Sequence, residues 1–173
     1  MSKILLIGTS PISLINFRKE LIKSLIVNGH QVIVMASKFT STEVENIKNL
    51  GVEYIDYSVE RNSLNPLADL KTLLNFIKVF TSENPDIVLA YTIKPVVWGG
   101  LASRLFKFNF YALITGLGFA FQGDSFKRKF LTKLVVFLYK AALKKSKAVI
   151  FQNTDNRDVF VSKGIVELSK THV

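Results

Sequence analysis

Four short segments of the sequence carry hydroxyl, amide, glycine or lysine groups between apolar stretches, and such groups bind anions and other polar ligands. They are residues 9–13, 91–94, 115–123 and 152–154. In the second segment, the ammonium group of Lys94 would suit a phosphate. A solvated lysine in an ordinary turn gives the same pattern, so both interpretations stay open for this segment alone.

The first polar segment does not match the dinucleotide-binding fingerprint. A Gly-x-Gly-x-x-Gly motif would need glycines where Ser10 and Ser13 stand, and the predicted second strand ends without the acidic residue that holds a ribose. A nicotinamide-dependent enzyme is therefore disfavoured. Ser13 could still help an anion to bind at a helix N-terminus, and a plain helix cap explains it equally well.

The composition gives no support to a metal site. The 173 residues include no cysteine, and the two histidines, His30 and His172, lie far apart in the sequence. We therefore expect neither a thiolate nor a histidine metal site. The apolar part of the first residues is too short for a signal peptide, and the longest uncharged run, residues 108–123, is too short to span a bilayer. These features predict a cytoplasmic protein.

A basic segment contributes most of the formal charge of +10. Eight lysine or arginine residues and no acidic residue lie between Asp124 and Asp155, mainly on a helix predicted for residues 125–145. The apolar stripe of this helix is wider than packing on one sheet requires, and lysines flank it. This pattern favours an interfacial helix on anionic lipid, although a core helix with a lysine-coated outer face gives a similar one.

Nucleic acid is disfavoured as the anionic partner, because the aromatic residues of this helix lie in its apolar stripe and not on a basic strand. The predicted membrane-surface residues are Phe126, Lys127, Arg128, Lys129, Phe130, Lys133, Phe137, Lys140 and Lys144.

Strand-like and helix-like segments alternate along the chain, and this alternation predicts the fold. We expect an α/β, Rossmann-like, doubly wound parallel sheet of about six strands with helices on both faces, in one domain. Ligands of such sheets bind beyond the carboxyl ends of the strands, where the four polar segments would meet. The predicted strands cover residues 3–8, 31–36, 52–57, 87–91, 110–114 and 148–152, and the predicted helices cover residues 14–26, 41–50, 66–83, 95–106, 125–145 and 154–162.

Several motifs together resemble the N-terminal half of bacterial family-four glycosyltransferases, which have the two-Rossmann-domain fold called GT-B. The strongest are Thr-Ile-Lys-Pro at residues 92–95 and Thr-Gly-Leu-Gly-Phe at residues 115–119, with further matches at residues 13–18, 28–32 and 151–153. The strongest pair is similar to a subgroup that transfers sugars to undecaprenyl-diphosphate-linked saccharides in capsule, O-antigen and lipid-linked glycan synthesis.

The resemblance implies that residues 1–173 are the acceptor-binding domain and that a C-terminal donor-binding domain, absent from this sequence, completes the enzyme. The implied partners are a lipid-linked saccharide acceptor, an anionic membrane at the inner face of the plasma membrane, and the donor domain in the same or another chain. No cofactor is expected, because the nucleotide sugar is a substrate. The implied acceptor-binding residues are Ser13, Asn16, Arg18, Thr92, Lys94, Thr115, Gly116, Gly118 and Asn153, with Arg18 and Lys94 on the acceptor phosphate.

The resemblance identifies no catalytic base. Many relatives carry a histidine in the loop after the fifth strand, where Thr115 and Gly116 stand here, and neither can act as a base near neutral pH. The family retains anomeric configuration, and the leaving phosphate can take the acceptor proton. We expect no turnover by these 173 residues alone. Two alternatives stay open: a membrane-recruiting subunit of a two-chain glycosyltransferase, and a small nucleotide-binding Rossmann protein unrelated to sugars.

Overall fold

The computed structural model describes residues 1–59, 65–118, 121 and 126–173, with the side chains of Phe126 and Lys127 excepted. Seven parallel strands form one sheet in the order β3-β2-β1-β4-β5-β6-β7. In the centre, Leu5 of β1 pairs with Ile33 on one side and Val88 on the other. The strands are β1 (Lys3–Ile7), β2 (Gln31–Ala36), β3 (Glu53–Asp56), β4 (Ile87–Tyr91), β5 (Asn109–Ile114), β6 (Ala148–Phe151) and β7 (Thr171–His172).

Helices connect the strands and cover both faces of the sheet. A π-helical turn, Pro95–Gly99, leads directly into α5, and a 3-10 turn, Leu168–Lys170, precedes β7. The helices are α1 (Pro11–Phe17), α2 (Lys19–Val27), α3 (Ser41–Asn49), α4 (Pro66–Glu83), α5 (Gly100–Ser103), α6 (Phe126–Leu143) and α7 (Thr154–Ser162). None of the helices in the described part of the chain is both long and apolar enough to cross a membrane.

Alternate residues of the central strands bury on opposite faces, which produces two cores. Leu6 packs with Leu14 of α1, Ile22 of α2 and Ile47 of α3. Leu5 belongs to the second and larger core, which holds aromatic residues of α4, α6 and α7. One sheet face is therefore covered by α1 to α3 and the other by α4 to α7, as in a doubly wound fold.

The amino end of β1 is tied to the segment that precedes β4. The backbone N–H of Lys3 donates to the Asp86 carboxylate at 2.7 Å, and Lys3 Nζ lies 2.9 Å from Glu83 Oε2. These contacts join the part of the sheet formed by β1 to β3 with the part formed by β4 to β7.

The predicted α/β doubly wound fold is confirmed, with two local differences. The sheet has a seventh strand, Thr171–His172, which is too short for a periodic pattern to reveal. The single helix predicted for residues 14–26 is two helices, because Arg18 leaves the helical conformation with φ −122° and ψ −1°.

Candidate functional site

The carboxyl ends of the parallel strands bring three of the predicted polar loops together. Thr9 follows β1 and Thr92 follows β4, and their hydroxyl oxygens lie 3.4 Å apart. Gly118, in the loop after β5, lies against Ile93, and a Cβ at Gly118 would overlap the Ile93 side chain. The loops after β1, β4 and β5 therefore form one continuous surface, which we call the carboxyl-edge site.

A buried tyrosine at the end of β4 organises this site. The Tyr91 hydroxyl lies 2.8 Å from Ser13 Oγ, and Ser13 Oγ donates to the Ser10 carbonyl oxygen at 2.7 Å. A serine hydroxyl has one proton, so the proton in the Tyr91–Ser13 hydrogen bond comes from Tyr91. Ser13 thus connects the start of α1 to β4, which is a structural role beside its predicted role in acceptor binding.

Gly8 allows the chain to pass directly over Tyr91. A Cβ at Gly8 would overlap the Tyr91 phenol ring. The Gly8 carbonyl oxygen accepts a hydrogen bond of 2.8 Å from the Tyr57 hydroxyl, at the end of β3. Burial raises the pKa of Tyr57, and the neighbouring Tyr91 raises it further. Both phenols are therefore neutral near pH 7 and serve to position the loops.

Arg18 stands at the break between α1 and α2, and its guanidinium lies over the Tyr91 ring, 5.1 Å from the ring centroid. This is a cation–π arrangement. One terminal nitrogen, Nη1, donates to the Phe17 carbonyl oxygen at 3.0 Å, whereas the buried Nε has no hydrogen-bond partner among the described residues. Burial raises the pKa of Tyr91 to about 12, against the opposing effects of the Ser13 hydroxyl and the Arg18 charge. Arg18 therefore has hydrogen-bonding capacity left for an anion.

Lys94 differs from Arg18 in that its charge is already balanced. Lys94 Nζ lies 2.7 Å from Asp69 Oδ1 in the first turn of α4, and the two side chains are only 12% and 15% exposed. An ion pair with this little solvent is costly to break by removing one partner. The prediction that Lys94 binds the acceptor phosphate is untested, and an anion there would compete with Asp69.

Thr92 adopts an unusual backbone conformation at the end of β4. Its φ is +67°, in the left-handed region that β-branched residues rarely occupy. Its carbonyl oxygen accepts a hydrogen bond of 3.1 Å from the Val96 N–H, which starts the π-helical turn. The conformation turns the chain sharply from strand to helix and leaves the Thr92 side chain beside Thr9.

Three other predicted acceptor residues, Thr115, Gly116 and Asn153, follow the carboxyl ends of β5 and β6. Asn16 is exposed on α1, and Thr115 and Gly116 are half-buried directly after β5. Asn153 follows β6, where its side-chain oxygen accepts a hydrogen bond of 2.9 Å from the Asn156 N–H and caps α7. The predicted loop 115–123 lies only partly within the described residues, which end at 118 and include 121. None of the four polar segments contains Asp, Glu or His, so none of them supplies a carboxylate or imidazole base near neutral pH.

Gly8 and Tyr57 were not predicted as site residues, and Tyr91 was predicted as part of the polar segment 91–94 but not as an acceptor-binding residue. Tyr91 directly precedes the Thr-Ile-Lys-Pro motif, and this position indicates that Tyr91 lies at the site. The contacts of Gly8 with Tyr91 and of Tyr57 with Gly8 join residues distant in the sequence, so no local pattern could predict these contacts.

The outer face of α6 carries an exposed apolar stripe. Phe130, Leu134 and Phe137 are exposed, while Tyr139, on the opposite side of the helix, is buried in the core. Lys129, Lys133, Lys140 and Lys144 are exposed along one edge of the stripe, and Arg128 is half-buried. The predicted contributions of Phe126 and Lys127 lie outside the described side chains.

Comparison with known proteins assigns the chain to a family. A family model described as "Glycosyl transferase 4-like" matches residues 3–153. The chain belongs to this family. It is also 30% identical over 156 residues to the N,N'-diacetylbacillosaminyl-diphospho-undecaprenol alpha-1,3-N-acetylgalactosaminyltransferase of Campylobacter jejuni. That alignment covers 90% of the chain and 41% of the Campylobacter enzyme, so this glycosyl transferase 4-like chain spans about two fifths of that relative.

Solved structures of similar fold agree with this assignment. A glycosyltransferase from Rickettsia africae is 19% identical with a TM-score of 0.70, over 99% of this chain and 42% of that one. A UDP-GlcNAc 2-epimerase from Neisseria meningitidis is 14% identical with a TM-score of 0.66, over 99% of this chain and 46% of that one. At these identities the likeness concerns the fold, which is one half of a GT-B protein.

Proposed function

We propose that this chain is the acceptor-binding half of a glycosyltransferase that extends a lipid-diphosphate-linked saccharide at the cytoplasmic face of a membrane. The observation that carries the proposal is Arg18, a cation held over Tyr91 at the carboxyl edge with its buried Nε unsatisfied among the described residues. The Campylobacter relative, which acts on an undecaprenyl-diphosphate-linked sugar, supports the same class of acceptor. The donor sugar would be held by a second domain, in this or another chain.

The acceptor diphosphate would bind at Arg18. A guanidinium matches two phosphate oxygens at once, and its planar shape suits the face of an aromatic ring. Arg18 forms no ion pair with a carboxylate among the described residues, whereas Lys94 is paired with Asp69. We therefore assign the larger share of phosphate binding to Arg18.

The saccharide would lie across the loops after β1, β4 and β5. Thr92 and Thr115, both half-buried, would offer hydroxyls at the ends of β4 and β5, while the buried Thr9 hydroxyl accepts a hydrogen bond from Thr92 at 3.4 Å. Hydroxyls both donate and accept hydrogen bonds, as sugar hydroxyls do. Backbone amides at Gly116 and Gly118 are accessible to such a ligand because glycine carries no side chain.

Sugar transfer would proceed without a protein base from this half. A bond would form between an acceptor hydroxyl oxygen and the anomeric carbon, while the bond from that carbon to the donor phosphate breaks. The acceptor proton would pass to the leaving phosphate. This path suits the carboxyl-edge site, because the polar segments 9–13, 91–94 and 115–123 contain no Asp, Glu or His.

The outer face of α6 would hold the domain on the membrane that contains the acceptor. Exposed Phe130, Leu134 and Phe137 would enter the interfacial region of the bilayer. The lysines along the stripe would each contribute about 1 kcal/mol on an anionic surface. Binding is therefore expected to weaken as the salt concentration rises.

Binding of farnesyl diphosphate, a soluble probe with a prenyl chain and a diphosphate, tests the proposal. We expect Arg18→Gln to weaken binding about tenfold or more, because it removes a charge-assisted contact. Lys94→Gln should weaken it less, and Arg104→Gln, a change of an exposed arginine after α5, should leave it unaltered. Equal binding by wild type and Arg18→Gln would reject Arg18 as the anchor. Robust sugar transfer by these 173 residues alone would reject the division into two halves.

A further inference from the structure

A second apolar stripe, on α4, lies on the same face of the sheet as the stripe on α6. Leu67, Leu70 and Leu74 follow one another at intervals of three and four residues, so they share one side of the helix. All three are exposed, Leu67 to 77% and Leu74 to 57%, while Phe76 and Phe80 on the opposite side are fully buried. Packing within the described part of the chain leaves this stripe uncovered.

The two stripes point in the same direction. Both α4 and α6 follow one parallel strand and precede the next, so both begin at the carboxyl edge and run back along the sheet. They pack against the same core and against the same intervening segment, the π-helical turn and α5. Since each stripe lies opposite its helix's buried side, both face away from the sheet. The outermost side chains of two helices on one sheet face can meet a flat surface together.

Charge identifies the kind of surface that fits. Lys71 and Lys78 are exposed on α4, while its only acidic residues, Asp69 and Glu83, are engaged by Lys94 and Lys3. The described part of α6 contributes exposed lysines and no acidic residue. Two apolar stripes with unpaired lysines therefore match an anionic bilayer.

The remaining helices differ. On the other sheet face, α3 exposes Glu45, and α7, at the far end of the same face as α6, exposes Asp155 and Asp158. Ile12 and Phe17 of α1 and Leu21 of α2 are exposed too, with exposed Glu20 among them, and Val27 lies apart from these at the end of α2. Among the described helices, three exposed apolar side chains on one unbroken helix, with exposed lysines and no exposed acidic residue, occur on α4 and α6.

We propose that α4 and α6 together form the membrane-docking surface, so that the whole helical layer from α4 to α6 rests on the anionic bilayer. This inference rests on the membrane association proposed above, and it adds a second helix and the orientation of the domain. The carboxyl-edge site then opens along the bilayer surface, because both helices begin at that edge. Arg18 packs on Tyr91 on the α1–α3 side of the sheet, so the acceptor diphosphate would reach it past the carboxyl ends of the strands.

Single labels can test this arrangement, because the chain contains no cysteine. An environment-sensitive fluorophore would be attached to Leu74→Cys on α4, Phe137→Cys on α6 and Val27→Cys on α2. Phosphatidylcholine vesicles with and without phosphatidylglycerol would serve as the membrane. We expect the emission of the first two labels to shift to the blue on phosphatidylglycerol vesicles, while the label at position 27 does not change.

Each other outcome has a distinct meaning. A response at position 137 alone would leave membrane association intact and overturn the contribution of α4. The absence of an emission shift at both position 74 and position 137 would reject membrane association itself. A blue shift at position 27 would reject the proposed orientation. A shift at position 74 that appears without vesicles as the protein concentration rises would show self-association through α4 and overturn the proposal.

Sedimentation with the same vesicles provides a second measurement. The double variant Leu70→Ser/Leu74→Ser should lower partitioning into phosphatidylglycerol vesicles about tenfold or more, since two leucines lose their apolar burial. Val27→Ser is the matched control, because Val27 is 86% exposed on the opposite sheet face, and it should bind as wild type. Unchanged partitioning of the double variant would contradict the proposal.

Discussion

The Tyr91 hydroxyl donates a hydrogen bond to Ser13 Oγ over 2.8 Å, and Ser13 Oγ donates one to the Ser10 carbonyl oxygen. The two side chains are 78 positions apart in sequence, so this short chain of hydrogen bonds fixes α1 against β4. Arg18 is positioned on the same tyrosine. The stability of the Tyr91–Ser13 pair and the geometry of the proposed phosphate anchor are therefore linked.

A double-mutant cycle on this pair should show coupling. Ser13→Ala leaves the buried Tyr91 hydroxyl without its acceptor, which should lower the free energy of unfolding by about 1–3 kcal/mol. Tyr91→Phe removes the donor and should cost about 1 kcal/mol. The double variant should cost less than the sum by about 1 kcal/mol, as measured by urea unfolding. Strictly additive effects would show that the hydrogen bond contributes nothing.

Stability should fall in alkaline solution partly because of Tyr91. Burial raises the pKa of Tyr91 to about 12 in the folded protein, from 10.0. Between those pH values Tyr91 loses its proton in the unfolded chain and keeps it in the folded chain. The contribution of Tyr91 to the free energy of unfolding is therefore complete below about pH 10 and is lost as the pH approaches 12. The expected slope is about 1.4 kcal/mol per pH unit from this group. Urea unfolding at about pH 9 and about pH 11 should show a smaller loss for Tyr91→Phe than for wild type.

Two adjacent glycines should respond differently to alanine. A Cβ at Gly100 would lie 2.9 Å from the Ala142 carbonyl oxygen on α6, whereas a Cβ at Gly99 would meet only ordinary contacts, the nearest at 3.6 Å. Gly100→Ala should therefore force α5 and α6 apart and lower the free energy of unfolding by about 1–3 kcal/mol. Gly99→Ala should be neutral or stabilising by up to about 1 kcal/mol, because alanine favours a helix. Thermal unfolding measures both, and equal destabilisation would contradict the packing described for α5.

Asparagine in place of Thr92 should stabilise the chain. Thr92 has φ +67°, a conformation that costs a β-branched residue about 1–2 kcal/mol and that asparagine tolerates better. We expect Thr92→Asn to raise the free energy of unfolding by about 1 kcal/mol in denaturant titrations. Thr92→Ala keeps a Cβ, so it should raise the free energy of unfolding by less than Thr92→Asn does. Lys38, with φ +63°, offers a second position where asparagine should have a similar effect away from the carboxyl-edge site. A loss of stability in Thr92→Asn would show that the Thr92–Thr9 contact outweighs the strain.

Periodic and turn-forming residues predicted most of the fold. Short apolar runs such as residues 31–36 and 87–91 identified the central strands, because parallel strands are buried on both faces. The break at Arg18 escaped prediction, since the apolar spacing continues across it and the ring that Arg18 contacts, Tyr91, is distant in the sequence. The strand Thr171–His172 has only two residues and no pattern of its own.

The sequence predicted which loops form the candidate site, but it did not predict the side-chain contacts within the site. The Thr-Ile-Lys-Pro and Thr-Gly-Leu-Gly-Phe motifs indicated which loops meet, because the carboxyl ends of parallel strands share an edge. The ion pair between Lys94 and Asp69, 25 positions apart, depends on how α4 packs and leaves no trace in local sequence. Asn153 could have been recognised as a helix cap, since asparagine is favoured at that position before a helical segment.

The strand order has a consequence for the time course of folding. Strands β1 to β3 pair in chain order, and so do β4 to β7, so each part can assemble through nearby sequence. Among the described strands, the two parts pair through β1 and β4, and there Lys3 reaches Asp86, 83 positions away. Closing so long a segment is entropically expensive and slow. During synthesis, one edge of β1 therefore stays unpaired until β4 has left the ribosome. That edge is the surface of a newly made chain most in need of protection from pairing with other strands.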